Sequence, residues 1–253
     1  MMREFITGRN PVFEVFQAKR RHIFKLQLAQ GIAETDNVRA VLAEAAKLKI
    51  PVERVHRERL DKFGDHHQGI AVEVNEYPYA DLTDIFELAA RRAEPLLVLL
   101  LDMIQNPQNF GTLIRTAEAA GVHGIIVPLR GAAGITPAVV NASSGAAEHM
   151  LIASMNLAQA IDALKEANAW VLGLEGGEGS QPIQSTRLDM PIGLVVGNEG
   201  EGMRRLVREK CDVLVSLPMR GRVDSLNAAV AGSIALYQIL FARSARQASG
   251  KAG

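Results

Sequence analysis

Asn109, Arg115, Glu199, Ser225 and Asn227 are the residues of this chain whose types and settings could do chemistry. They fall in three stretches: "NPQNFGTLIRTAEAAGV" over 106–122, "GNEGEGM" over 197–203 and "MRGRVDSLNAAVA" over 219–231. Each follows an apolar run that reads as a strand buried on both faces, so each would lie at a strand's carboxyl end, where open α/β sheets bind ligands. Helical periodicity puts Leu113, Ile114, Ala117 and Ala120 on one packing face and turns Arg115 away from it with Gly111 and Glu118. The glycines at 197, 200 and 202 let the second stretch come close to a ligand, and Glu199 could accept hydrogen bonds from it or orient a cation. An arginine, a glutamate, two asparagines and a serine suit orientation and charge stabilisation. Without a histidine or paired acids they do not suit general acid–base hydrolysis or a Ser/His/Asp triad.

Each residue also has a structural explanation. Arg115 and Glu118 can form an exposed pair worth about a few tenths of a kcal/mol. Asn109 can cap the helix that follows it, Ser225 can cap the long apolar helix after it, and Glu199 can serve the N-terminal dipole of a helix over 201–210. Asn227 is harder to explain this way, because an amide at an apolar helix start needs a partner. No GxGxxG or GxxxxGK[ST] spacing occurs, which speaks against a nicotinamide-dependent oxidoreductase and a P-loop nucleotide hydrolase.

The elements that must position these loops read as two α/β regions. Residues 1–76 hold a helix from Pro11 to Lys19, a strand "IFKLQLA", a helix "NVRAVLAEAAKLKI", a short strand "VERV", a helical turn "RERLDKF" and a strand "QGIAVEV". Residues 77–94, bracketed by Pro78 and Pro95, read as a linker carrying a polar amphipathic helix. Over 95–243 the strands "LLVLLLD", "GIIVP", "WVLGLE", "IGLVVGNE" and "VLVSLP" alternate with helices near 110–120, 137–147, 157–167, 201–210 and 225–242, the pattern of a doubly wound parallel sheet. Residues 244–253 read as a disordered tail.

The 253 residues are 48% hydrophobic and 22% charged, as in a soluble globular protein. No signal peptide is legible and no apolar run reaches the roughly 20 residues of a membrane span, so cytoplasm is expected, without a membrane. The single cysteine, Cys211, excludes an intrachain disulfide and reads as a core residue; the six histidines lack ligand spacing, so no metal is expected. With 28 basic and 28 acidic residues the net charge is zero, which argues against a polyanion binder with a uniform field but leaves local basic sites. The clusters "KRRHIFK", "RVHRERLDK", "MRRLVREK" and "MRGR" each read most simply as a solvated face.

Taken together, "NPQNFGTLIRTAEAAG", "LVVGNEGEGM" and "LPMRGRVDSLNAAVA" resemble, in order and separation, the three motifs of the SpoU/TrmH class of RNA ribose 2'-O-methyltransferases, which use S-adenosylmethionine. "GRNPVFEVF" and "HQGIAVEV" resemble the small α/β RNA-binding domain, of a ribosomal-protein type, carried by the 23S rRNA guanosine methyltransferases of this class. Phe110, Thr112 and Asp224 stand where many members have other residues, which bears on fine selectivity.

The resemblance implies a SPOUT fold whose doubly wound sheet ends in a trefoil knot, and a homodimer; nothing in the periodicity shows a knot, and general topology rules speak against one. It implies Asn109, Arg115, Glu199, Ser225 and Asn227 as catalytic residues. It implies Leu174, Gly197, Asn198, Gly202, Leu217, Met219 and Leu226 as the cofactor pocket, with backbone groups of Gly197, Leu217 and Leu226 holding S-adenosylmethionine. Arginine is a poor general base, so Arg115 is expected to hold the target phosphate and the developing alkoxide, although the family's arginine has also been discussed as the base. The implied substrate is 23S rRNA, with tRNA, an rRNA adenosine, or a non-catalytic assembly role as alternatives. The basic residues Arg20, Arg21 and Arg54 are expected to contact RNA through phosphate neutralisation.

Overall fold

The apolar runs become strands and the stretches between them mostly helices in a computed structural model that describes residues 3–64, 66–131, 133–177, 179–222 and 225–250. In chain order the first elements are β1 (Arg3–Thr7), α1 (Arg9–Ala18), β2 (Ile23–Ala29), α2 (Asp36–Lys47), β3 (Val52–Val55), α3 (Arg57–Asp61) and β4 (Ile70–Asn75). There follow α4 (Leu82–Arg92), β5 (Leu97–Leu101), α5 (Pro107–Ala119), β6 (Gly124–Val127), α6 (Pro137–Ala142), β7 (Ile152–Ser154), α7 (Leu157–Glu166) and β8 (Trp170–Leu174). The last are β9 (Gln181–Pro182), β10 (Ile192–Val196), α8 (Arg205–Lys210), β11 (Val213–Ser216) and α9 (Ala228–Gly250). The chain divides into two units, Met1–Pro78 with Gly134–His149, and Tyr79–Ala133 with Met150–Gly253.

The second unit is built on a sheet of order β7-β6-β5-β10-β8-β11-β9, parallel at every pairing. Every residue of β5 and β10 is buried, as strands covered on both faces must be. β10 enters between β5 and β8, so the strand order reverses there and a crevice opens beyond the carboxyl ends. The edge strands β7 and β9, only three and two residues long, were not visible as apolar runs. The linker helix α4 contributes Ile85 and Ala89 to the core around Val98, Leu100 and Ile126. Burial pushes the Cys211 thiol up to about 12, so it stays protonated at neutral pH, and its Sγ donates to Val207 O.

The helix α9 fixes the site-bearing loops. It packs on α5, where Gly232 permits a close approach: a Cβ there would lie 2.6 Å from Leu113. Arg243 donates to the carbonyls of Pro95 (2.8 Å), Leu96 (2.9 Å) and Met190 (2.8 Å), which anchors the far end of α9 to the starts of β5 and β10. Contrary to the sequence expectation, α9 is long and apolar enough to cross a membrane over Ala228–Arg246. Its Ala235, Leu236 and Ile239 are buried within this unit. The tail read as disordered is helical through Gly250, with Arg246 paired to Asp189; residues 251–253 lie outside the described residues.

The first unit has a sheet of order β1-β4-β2-β3. Its edge strand β1 escaped the sequence reading, because "REFIT" is short and half polar. The stretch expected as one helix over 137–147 is α6 followed by a 3-10 turn at Ala146–Glu148, broken where Ser144 and Gly145 take left-handed φ of 54° and 91°. A Cβ on Gly145 would come within 2.7 Å of Glu14, so that position also demands glycine.

This segment is fastened to the rest of its unit by polar groups. Asn141 Nδ2 donates to Thr7 Oγ1 (3.0 Å), and His149 Nε2 meets Glu14 Oε2 at 2.7 Å. Arg21, with a fully buried side chain, pairs with Glu148 (2.9 Å) and Glu4 (2.8 Å) and donates to the Asn75 carbonyl (3.0 Å). Arg20 donates to the Tyr77 hydroxyl (3.2 Å) and to the carbonyls of Pro78 (3.0 Å) and Glu148 (3.3 Å). The expectation that Arg21 contacts RNA is therefore corrected, because its guanidinium is buried between Glu4 and Glu148; Arg20 is half-buried. Arg54 remains at the surface, 3.1 Å from Glu34.

Candidate active site

Two of the three loops singled out in the sequence, those after β10 and β11, meet the loop after β8 at the carboxyl ends of these strands, and the loop after β5 reaches them through Asn109. There a cavity of about 790 Å³ is walled by Leu174 to Gly177, Val196 to Gly200, Gly202, Ser216, Leu217, Met219 and the start of α9. Every expected cofactor residue lines it: Leu174 from β8, Gly197, Asn198 and Gly202 from the loop after β10, and Leu217, Met219 and Leu226 from the loop after β11. Glu199, Ser225 and Asn227 line it too. Asp224 lies outside the described residues.

Local chemistry sets the loops. The helix cap at α5 is Asn106, whose side chain accepts from Gln108 N, with Pro107 in the first helical turn. Asn109, expected as that cap, is thus released for a longer reach: its Nδ2 donates to Glu199 Oε2 at 3.0 Å, ninety residues away in sequence. Likewise the cap of α9 is not Ser225 but Asn227, whose Oδ1 accepts from Ala229 N (3.0 Å) and Val230 N (3.2 Å). Its Nδ2 donates to Glu199 Oε1 (2.8 Å) and Asn109 Oδ1 (3.0 Å), which supplies the partners the sequence demanded. Glu199 does not serve a helix dipole, because α8 begins only at Arg205. Its carboxylate is held by two neutral amides.

Asn227→Ala is expected to remove the α9 cap and one donor to Glu199 together. Loss of a cap alone costs about 1 kcal/mol, or roughly 2–4 °C in thermal unfolding of a chain this size, and ligand binding should weaken in the same variant.

The loop after β10 is glycine-walled for packing reasons as well. A Cβ on Gly197 would lie 2.4 Å from the Gly202 carbonyl carbon, so the turn can close only with glycine there. The other charged wall is Glu175, bonded to Arg208 Nε at 2.7 Å; the hydrogen bond raises the arginine's pKa. Sequence reading missed Glu175, because "LEGG" gave no sign that its side chain would face the cavity.

Arg115 stands apart. It is exposed on α5, six residues beyond Asn109 and so about 9 Å farther along the axis on another face, and it does not line the cavity. The arrangement can therefore bind and orient a ligand within one chain, while its expected arginine faces outward from an adjacent helix.

The profile of the SpoU rRNA Methylase family matches residues 96–237, more than half of the chain, and that of RNA 2'-O ribose methyltransferase substrate binding matches residues 5–80. A Bacillus subtilis protein named for the TrmH family of tRNA/rRNA methyltransferases is 38% identical over 238 residues, covering 93% of this chain and 94% of its own. A Staphylococcus saprophyticus protein named for the same family is 39% identical over 238 residues, covering 92% and 94%.

Among solved structures, the SpoU methyltransferase AviRb of Streptomyces viridochromogenes, in complex with AdoMet, superposes with a TM-score of 0.80 at 24% identity, covering 96% of this chain and 91% of that one. An AdoMet-bound rRNA methyltransferase of Sinorhizobium meliloti superposes at 0.76 and 25% identity, covering 94% and 86%. The fold is the SPOUT fold expected from the three motifs. The chain belongs to the SpoU rRNA methylase family and is, as a member, an S-adenosylmethionine-dependent RNA methyltransferase.

Proposed function

We propose that this enzyme methylates a ribose 2'-hydroxyl in structured RNA, that of a guanosine in 23S rRNA, and that it works as a cytoplasmic homodimer. The observation that carries the reading is the amide-held Glu199 at the wall of a glycine-lined cavity, with Asn109 and Asn227 as its two donors.

The residues present fit the cofactor. A volume of about 790 Å³ lies in the range of small-molecule sites. Both charged side chains among the described lining residues are carboxylates, which complement a sulfonium-bearing ligand. Leu174, Gly197, Asn198, Gly202, Leu217, Met219 and Leu226 would hold S-adenosylmethionine, which supplies an electrophilic sulfonium methyl when bound. Asn109 and Asn227 fix Glu199, and Glu199 orients the ribose or the arginine that grips it. Ser225 shapes the loop between cofactor and RNA. Arg115 binds the target phosphate and stabilises negative charge growing on the 2'-oxygen, a task for a permanently charged, bidentate donor.

The outward position of Arg115 is explained by a second copy. On α9, Val230, Ile234, Tyr237 and Phe241 form an exposed apolar stripe at helical spacing, and Phe241 is 60% exposed. Pairing along that stripe covers it and brings one protomer's α5 to the other's cavity. The match of residues 5–80 to a substrate-binding profile supports RNA capture by the first unit.

Incubation with methyl-labelled S-adenosylmethionine and separated 23S rRNA, 16S rRNA and tRNA, followed by mapping of ribose methylation, tests the reading. Label confined to a 2'-O-methylguanosine of 23S rRNA is expected. Label on a base, or on tRNA alone, overturns the assignment, and light scattering that gives a monomer overturns the dimer.

A further inference from the structure

The glycine loop that walls the cofactor cavity has little side chain of its own to keep it in place. It closes on itself through reciprocal backbone bonds of 3.0 Å between Asn198 and Gly202, and is then tied at both ends to the turn leaving β5. At one end Asn198 Nδ2 donates to Met103 O at 2.8 Å. At the other, Arg204 donates from its backbone N to Asp102 Oδ2 (2.8 Å) and from Nε to Asp102 Oδ1 (2.7 Å). Asp102 is fully buried, and its own N–H is spent on Val196 O at 2.9 Å, immediately before the loop. The next residue, Met103, takes a left-handed φ of 62°, which turns its carbonyl to the loop.

We propose that Asp102 is a positioning residue for the cofactor site: its carboxylate, through Arg204, holds the 197–203 loop in register and so sets where Glu199 and the glycine wall stand. The proposal rests on the cofactor reading given above. An ion pair whose arginine is half exposed is a weak source of stability. What it supplies is direction, because two charge-assisted bonds to one carboxylate fix both the backbone and the side chain of the residue that ends the loop. Glu199 lies between the two tied ends and must meet amides from α5 and from the start of α9 at 3.0 and 2.8 Å. A loop free to shift by an ångström would lose both bonds.

The test uses the full chain and calorimetric titration with S-adenosylmethionine. Asp102→Asn keeps the shape and an acceptor for Arg204 N but loses the charge facing Nε. Its dissociation constant for S-adenosylmethionine is expected to rise about 10- to 100-fold, the scale of a displacement of about 1 Å in a binding constellation, with RNA affinity unchanged. Val98→Ala, buried at the other end of β5, is the control: it should lower the melting temperature and leave cofactor affinity as in the parent.

Unchanged cofactor affinity in Asp102→Asn overturns the proposal, as does an equal loss in Val98→Ala, which would mean general loosening. Should Asp102→Asn not fold, Arg204→Met cuts only the half-exposed side-chain arm and is expected to weaken the cofactor several-fold; no change there overturns the proposal equally. Failure of the unaltered chain to bind S-adenosylmethionine overturns the cofactor reading itself and this inference with it.

Discussion

Arg115→Ala is expected to lower methyl transfer about 10²- to 10³-fold while the affinity for S-adenosylmethionine stays as in the parent, the scale set by removing one preorganised donor to a developing oxyanion. The two readouts separate because Arg115 is exposed on α5 and does not line the cavity. Arg115→Lys keeps the charge but loses the planar fork, so a phosphate clamp predicts severe loss there too. Single-turnover methylation with saturating cofactor is the measurement. Near-normal turnover in either variant would remove Arg115 from the chemistry and return it to the role of an ordinary surface cation.

The second large effect is on folding. Arg21→Met leaves Glu148 buried without its guanidinium partner, and breaking such a pair from one side costs about 3–5 kcal/mol. The melting temperature should fall by about 6–20 °C for a chain of this size. The loss should also depend on pH. Burial raises the pKa of the Glu148 carboxyl above that of an ordinary glutamate, so the folded state keeps that proton to higher pH than the unfolded chain does. Stability from this group is therefore greatest at low pH and is lost as pH rises from the unfolded value through the folded one. Removing the neighbouring cation raises the carboxyl further, so the deficit of Arg21→Met should shrink as the medium becomes acidic. Denaturant midpoints of parent and variant, compared in neutral and mildly acidic buffer, measure this; a deficit that grows on acidification contradicts it.

The parallel sheet was legible because β5 and β10 are unbroken apolar runs, and no helix needs to be so uniformly aliphatic over five residues. The edges were not, because β1, β7 and β9 are short and carry polar or small residues. At the site, residue types announced the task but local rules misassigned the hands. "NPQN" offers two asparagines near one helix start, and capping statistics cannot say that Asn106 caps while Asn109 reaches Glu199. "SLN" poses the same choice, and there the residue nearer the helix, Asn227, both caps and binds. Arg21 misled for a related reason: in "KRRHIFK" four cations look alike, and only the distant Glu148 distinguishes the one that is buried.

The origin of Glu148 has a further consequence for how the protein is made and taken apart. The first unit is sewn from two pieces of chain, Met1–Pro78 and Gly134–His149. A ribosome releasing the chain from its N-terminus delivers Arg21 with Glu4 long before Glu148, so the opening portion holds only one of the guanidinium's two acids until residue 148 has emerged. For the same reason a fragment cut near residue 80, where a sequence profile would end the substrate-binding module, would keep the Arg21 pair with Glu4 and lose the one with Glu148.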